Sequence, residues 1–143
     1  MTGLRIDDCK AELNKPVFLA LLANSVYDPT PERLSARAAS YMAGSDVLVY
    51  GAWQDTVPIG IAVLRNAPQE TELLSIAVAA PARGTGVGHR LIAHVRDALP
   101  TRRILAETDD DAVGFYRACG FQVESLGEKY PGVVRYRCVL DCE

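Results

Sequence analysis

Residues 72–95 read ELLSIAVAAPARGTGVGHRLIAHV, and the rest of the chain is arranged around them. Leu73, Leu74, Ile76, Ala77 and Val78 form a short, nearly continuous apolar run, the pattern of a strand buried on both faces. From Ala79 to Arg83 the chain leaves the sheet, since Pro81 lacks the backbone donor that a ladder requires. Gly84, Gly86 and Gly88 then alternate with Thr85 and Val87, and Leu91, Ile92, Val95 and Leu99 recur beyond them at helical spacing. A glycine-rich turn that opens a helix is a site for an anion. Its free N–H groups point outward, the helix dipole adds positive potential, and the missing Cβ atoms let a phosphate approach the backbone.

Three kinds of phosphate-binding turn share this plan. A Walker loop carries Lys and then Ser or Thr directly after its last glycine, whereas Gly88 is followed by His89 and Arg90. A dinucleotide fingerprint, Gly-x-Gly-x-x-Gly, is met at Gly84 and Gly86 but has His89 in its last place. Glu107 ends the next strand about where a ribose-binding acid belongs, which favours that reading. The five residues between strand and first glycine, and the hairpin-like strands upstream, weigh against it. The third kind fits best. Arg83-Gly84-Thr85-Gly86-Val87-Gly88 matches the Arg/Gln-x-x-Gly-x-Gly/Ala signature of the GNAT superfamily, the acyl-CoA-dependent N-acyltransferases. Upstream ELLSIAV and downstream DAVGFYRACGF also resemble that superfamily, and together the blocks cover roughly residues 70–126.

The resemblance implies one mixed α/β domain over residues 1–143. Its core would be a mixed, mostly antiparallel sheet of six to seven strands, flanked by about four helices. Composition agrees with a single globular domain: 143 residues can bury roughly 70% of their extended surface, and 49% apolar with 23% charged residues is ordinary. A net charge of −3 offers no basic footprint for nucleic acid. No run of 18 apolar residues exists, and MTGLRIDDCK lacks a signal-peptide core, so a cytoplasmic protein without membrane association is expected. Cys9, Cys119, Cys138 and Cys142 form no CxxC pair, and both histidines are distant in sequence, so we expect reduced structural thiols and no metal. Cys138 and Cys142 share a face if the last strand runs to the end, which leaves room for one exposed thiol.

Taken in order, Leu4 to Ile6 suggests a strand and Pro16 to Val26 a helix. Thr30 can cap a second helix that starts at Pro31, carries Leu34, Ala38 and Tyr41 on one side, and stops at Gly44. Val47 to Trp53 and Ile59 to Leu64 read as strands around the hairpin signal at residues 54–58. After the long helix, Arg103 to Thr108 is a strand, and Asp109 can cap a helix whose apolar face is Ala112, Phe115, Tyr116 and Cys119. Gly120 ends that helix, and Phe121 to Leu126 and Val133 to Leu140 are the last strands. The apolar last strand suggests a surface for pairing two subunits, so a monomer or a homodimer is expected.

If the resemblance holds, the reaction is transfer of an acetyl group from acetyl-CoA to a primary amine of a small molecule or peptide. The backbone of Arg83, Gly84, Thr85, Gly86, Val87 and Gly88 would hold the pyrophosphate. The superfamily's central strand splays from its neighbour, which would set Ile76, Ala77 and Val78 beside the pantetheine arm and supply an N–H for the oxyanion, an interaction typically worth a few kcal/mol. An ammonium of pKa near 10.4 leaves only about one molecule in 2,500 neutral at pH 7, so either a base removes the proton or the site binds the rare neutral form. Glu72 stands where some protein-lysine acetyltransferases of the superfamily carry that base. Reading it on the face of Leu74, Ile76 and Val78 predicts partial burial and a raised pKa; a plain strand-end charge is the other reading. Glu107, or Asp109 through water, are alternatives. Tyr116 occupies the place of the superfamily's general acid, a phenol near pKa 10 being matched to an alkyl thiolate, although it also suits simple core packing. Many relatives have Asn at Asp109, where the amide contacts the cofactor arm; an ionised Asp cannot donate that bond. The early helical pair lies over the acceptor site in such proteins, which would bring Tyr27, Tyr41 and Met42 to the substrate. His89 and His94 do not share a helix face and are read as non-catalytic. A non-catalytic acyl-CoA sensor of the same fold, or a nucleotide-binding module, are the rival functions.

Overall fold

The computed structural model describes residues 3–26 and 28–142. Strand β1 (Leu4–Asp8) leads through a 3-10 turn at Lys10–Glu12 into helices α1 (Pro16–Ala23) and α2 (Pro31–Ala43). Both helices open on proline, whose fixed φ and missing N–H suit the first helical position. The Thr30 hydroxyl accepts from the Arg33 N–H at 3.2 Å and Gly44 closes α2, so this helix is bounded by the signals its sequence carries. Its inner side is the predicted one, with Ala38 and Tyr41 buried and Leu34 packed beside them. Helix α1 ends at Ala23, short of the predicted Val26. Tyr27 lies outside the described residues.

Next come β2 (Val47–Gln54) and β3 (Val57–Asn66), joined by a tight turn in which Asp55 adopts φ +58. Strand β4 (Glu70–Val78) passes through a 3-10 turn at Ala80–Ala82 into α3 (Val87–Ala98). Strand β5 (Arg103–Asp109), helix α4 (Val113–Ala118) and strands β6 (Gln122–Tyr130) and β7 (Val133–Asp141) follow. The seven strands form one sheet in the order β1-β2-β3-β4-β5-β7-β6, antiparallel except for the β4–β5 pair. The expected mixed, mostly antiparallel sheet with four helices is therefore present.

Apolar layers cover both faces of its first half. Val87, Leu91, Ile92 and Val95 of α3 pack with Leu64, Leu73 and Ile104, joined by Tyr116 of α4. Phe18, Leu22, Ala38 and Tyr41 of the first two helices pack on Val49, Ile61, Val63 and Ala77. Strand β7 lies inside the sheet, between β5 and β6; its Cys138 and Leu140 are buried in the apolar layer, while Val133 at its start is exposed. The edges belong to β1 and to the largely exposed β6.

Strand β4 holds two irregularities that shape the site. Val63 faces Ser75 but Leu64 faces Leu73, so Leu74 is an extra residue and the strand bulges there. A bulge reverses the alternation of side chains. Glu72 therefore stands opposite Arg65 and shares its face with Ser75 and Ala77, while Ile76 and Val78 turn to the α3 side, which corrects the face read from the sequence. The second irregularity is a fork. Strands β4 and β5 pair only at Glu70–Arg103, Thr71–Ile104 and Glu72–Leu105; beyond those pairs they diverge and leave one edge of β4 facing a gap.

Candidate active site

The fork opens toward the glycine turn. Just past the end of β4, the Ala79 N–H donates to the Ile59 carbonyl at 2.8 Å, which ties the start of the turn to β3. The Arg83 Nε donates to the Val78 carbonyl at 3.0 Å, holding the guanidinium against the strand end, and the Thr85 hydroxyl donates to the Ala82 carbonyl. Gly84 and Gly86 have φ of +79 and +92, a region L side chains rarely enter, and Gly86 caps α3. A Cβ added at either glycine would meet no protein atom within 4 Å. The first bond inside the helix runs from the Arg90 N–H to the Gly86 carbonyl at 3.0 Å, so the N–H groups of the first turn are left for another acceptor. A backbone cradle with open space where side chains would stand fits a pyrophosphate.

A cleft of about 400 Å³ lies there, lined by Val78, Arg83, Gly84, Gly86, His89 and Phe115, with Val87 and Gly88 at its wall. Gly88 has a role the sequence did not disclose. A Cβ at that position would lie 2.6 Å from a carbon of the Phe115 ring, so its missing side chain admits α4 against α3. The ring stands edge-on to His89 at 5.6 Å and to Tyr116 at 5.2 Å. Phe115 and His89 thus line the cleft, and the sequence holds no signal that a ring on α4 fills the space left by a glycine on α3. Upstream, Ile76 and Ala77 lie on the free edge of β4 beyond the fork, one turned to each face.

Tyr116 is buried between the rings of Phe115 and Phe121, each 5.2 Å away. Burial, reinforced by the Cys138 and Cys119 thiols, pushes its phenol above the ordinary tyrosine range, which makes it a weaker acid in this structure than the match to an alkyl thiolate assumes. Asp109 accepts from the Asp111 and Ala112 N–H groups at 3.1 and 3.3 Å, which closes the turn ahead of α4 and occupies one of its carboxylate oxygens; it does not cap the helix, whose N-cap is Ala112. Glu72 lacks the burial predicted for it: its side chain is 55% exposed and pairs with Arg65 at 3.3 Å. Glu107 is bound by Lys129 and Arg135 at 3.4 and 3.2 Å. Although burial works to raise it, the Arg135 hydrogen bond and the Lys129 charge hold its carboxyl below the usual range, which makes it a poor proton acceptor.

On the opposite face, a polar chain crosses an apolar layer. The Tyr41 hydroxyl lies 3.4 Å from the Ser75 hydroxyl, and Arg37 Nη1 donates to the Tyr41 oxygen at 3.4 Å. Tyr41 and Ser75 are both buried. Met42 instead lines a separate open hollow of about 610 Å³ with Asn14, Ser35 and Ala39, which shares no residue with the glycine cleft.

A model of the acetyltransferase (GNAT) family matches residues 16–121 of this chain. Among solved structures, the chain is similar to the ribosomal-protein-S18-alanine N-acetyltransferase of Escherichia coli, at 18% identity and TM-score 0.77, covering 98% of this chain and 94% of that one. It is also similar to a GNAT acetyltransferase from Elizabethkingia anophelis with acetyl-CoA bound, at 20% identity and TM-score 0.72, over 99% of each chain. An IAA acetyltransferase from Bacillus cereus gives 21% identity and TM-score 0.73, over 96% and 99% of the two chains. At these identities the likeness is one of fold. A search of curated proteins gave no match.

Proposed function

The chain belongs to the GNAT acetyltransferase family, and from that premise we propose that it transfers an acetyl group from acetyl-CoA to a primary amine by direct attack in a ternary complex. The observation that carries the reading is the fork. A β4 edge freed after the Glu72–Leu105 pair leads, through one 3-10 turn, into a glycine turn with open space at Gly84 and Gly86. In this reading the N–H groups of residues 84–88 hold the pyrophosphate, and Arg83 adds charge from its anchor on Val78. The free edge at Ile76, Ala77 and Val78 orients the pantetheine arm and offers an N–H to the developing oxyanion. Acetyl-CoA supplies an acetyl carbon activated by a good leaving group.

The new N–C bond forms as the C–S bond breaks. Tyr116, protonated and shielded by Phe115 and Phe121, gives its proton to the departing sulfur and regains one from solvent. Proton loss from the amine has weaker support. Glu72 stands at the fork's vertex on the face of Ser75, but it is exposed and already paired with Arg65. That arrangement favours binding of the neutral amine, with release of its proton to water, over abstraction by Glu72. Asp109 is spent on the turn before α4, so the arm contact that an Asn would make is not assigned to it.

Calorimetric titration with acetyl-CoA, and with NAD and ATP as controls, tests the cofactor. Binding of acetyl-CoA alone is expected; binding of NAD or ATP in its place would restore the dinucleotide reading. The second test is Tyr116→Phe, which should slow turnover by about 10²–10⁴ while leaving acetyl-CoA affinity unchanged. A non-catalytic sensor would show binding without any turnover for Tyr116→Phe to slow.

A further inference from the structure

We propose that the acceptor carries a carboxylate next to its amine and that Arg37 binds it. This rests on the acetyltransferase reading above and narrows its substrate. The Arg37–Tyr41–Ser75 chain leads from solvent on α2 to the centre of β4, immediately beside the edge left free by the fork. Buried hydroxyls in an apolar layer are costly unless partnered, and here each partners the next. Only the outer end of the chain is incomplete. Arg37 gives one of its five N–H donors to Tyr41, and among the described residues it has no carboxylate within ion-pair distance.

The neighbouring charges point the same way. On this face Glu72 is neutralised by Arg65, and Glu107 by Lys129 and Arg135. Arg33, one turn before Arg37, is held by Asp28. Arg37 is therefore the cation on α2 left to receive an anion, and a guanidinium takes a carboxylate in a two-bond fork. Its nitrogen lies within two hydrogen-bond lengths of the Ser75 hydroxyl. The Tyr41 oxygen fills that span, so a carboxylate would sit on the outer N–H groups of Arg37, on the α2 side of the chain and near the freed β4 edge where the amine reacts, as in an amino acid; a polyamine carries no such group. Were the chain only a strut that pins α2 to β4, Arg37 would influence every acceptor equally.

The test is a steady-state comparison of amino acids with their carboxamides, and with a polyamine, as acceptors for acetyl-CoA. Free acids should exceed their amides at least tenfold in kcat/KM. Arg37→Gln should shrink that preference at least tenfold, through KM rather than kcat, and Arg37→Lys should restore part of it. Equal use of acids and amides, preference for the polyamine, or an equal effect of Arg37→Gln on acids and amides would overturn the proposal. So would acetylation of the amides or the polyamine without acetylation of any free acid. Failure of the acetyltransferase reading itself looks different: acetyl-CoA would not bind in the calorimeter, or would bind with no turnover of any amine.

Discussion

Replacing Gly88 with Ala should destabilise the protein through Phe115. The new Cβ would stand 2.6 Å from one carbon of the ring and 3.0 Å from the next, where non-bonded carbons settle at about 3.5–4.0 Å. The ring cannot swing away freely, because it packs edge-on against Tyr116 at 5.2 Å and His89 at 5.6 Å. Overpacking of this kind typically costs about 1–3 kcal/mol. Alanine's better helix propensity returns up to about 1 kcal/mol, so the net loss is about 1–2 kcal/mol. For a chain of this length that lowers Tm by roughly 3–7 °C. Circular dichroism melts of Gly88→Ala, Phe115→Ala and the double variant measure it, since the alanine at 88 should do no harm once the ring is gone. The same loss in both backgrounds would refute the packing argument. Unchanged stability with lost acetyl-CoA affinity would also refute it, and would return the missing side chain to the ligand.

Two further perturbations follow from the turn and the buried thiols. Gly86→Asn tolerates a positive φ and should stay within about 1 kcal/mol of the parent, yet lose at least tenfold in acetyl-CoA affinity by calorimetry, because its side chain enters the open cradle. Gly86→Val should lose stability as well, and full affinity in the Asn variant would remove the phosphate assignment. Alkaline pH should unfold the protein. Burial, with Asp8, Glu12 and Asp7 adding, pushes the Cys9 thiol up to about 12 from an ordinary 9.0, and burial pushes Cys119 up to about 11. Below pH 9.0 both folded and unfolded chains keep these protons and the stability is complete; above it the unfolded chain loses them first, until the folded thiols titrate at about 11 for Cys119 and about 12 for Cys9. Urea midpoints should thus fall from pH 8 through pH 10.5, less steeply in Cys9→Ala, and a flat profile would contradict the assigned burial.

The features legible in the sequence were those with local causes. Thr30, Pro31 and Gly44 bound α2 because caps and a proline act within one turn. The turn from Arg83 to Gly88 declares itself because positive φ and an exposed helix start demand glycine. What could not be read depends on partners far away in sequence. The Leu74 bulge arises from pairing with β3, and nothing in an apolar run of five residues tells which of them is extra. The parity of Glu72 followed from that, and with it the error about its burial. Strand β7 sits between β5 and β6, with Cys138 and Leu140 buried beside Tyr116 and Phe121, an order that the chain's own succession conceals. The Arg37–Tyr41–Ser75 chain joins two elements that sequence alone holds far apart.

The fork has a mechanical meaning as well. The sheet is two plates, β1–β4 and β5–β7, welded at three residue pairs. A weld so short is the sheet's softest line, and its amides should exchange with solvent sooner than those at the β2–β3 or β5–β7 seams, each paired over seven residues or more. A molecule lying in the gap and bonding to the bare edge would act as a dowel between the plates. Its presence would slow exchange in both halves, including residues it never touches, and would add to the folding free energy in proportion to the logarithm of its concentration above Kd.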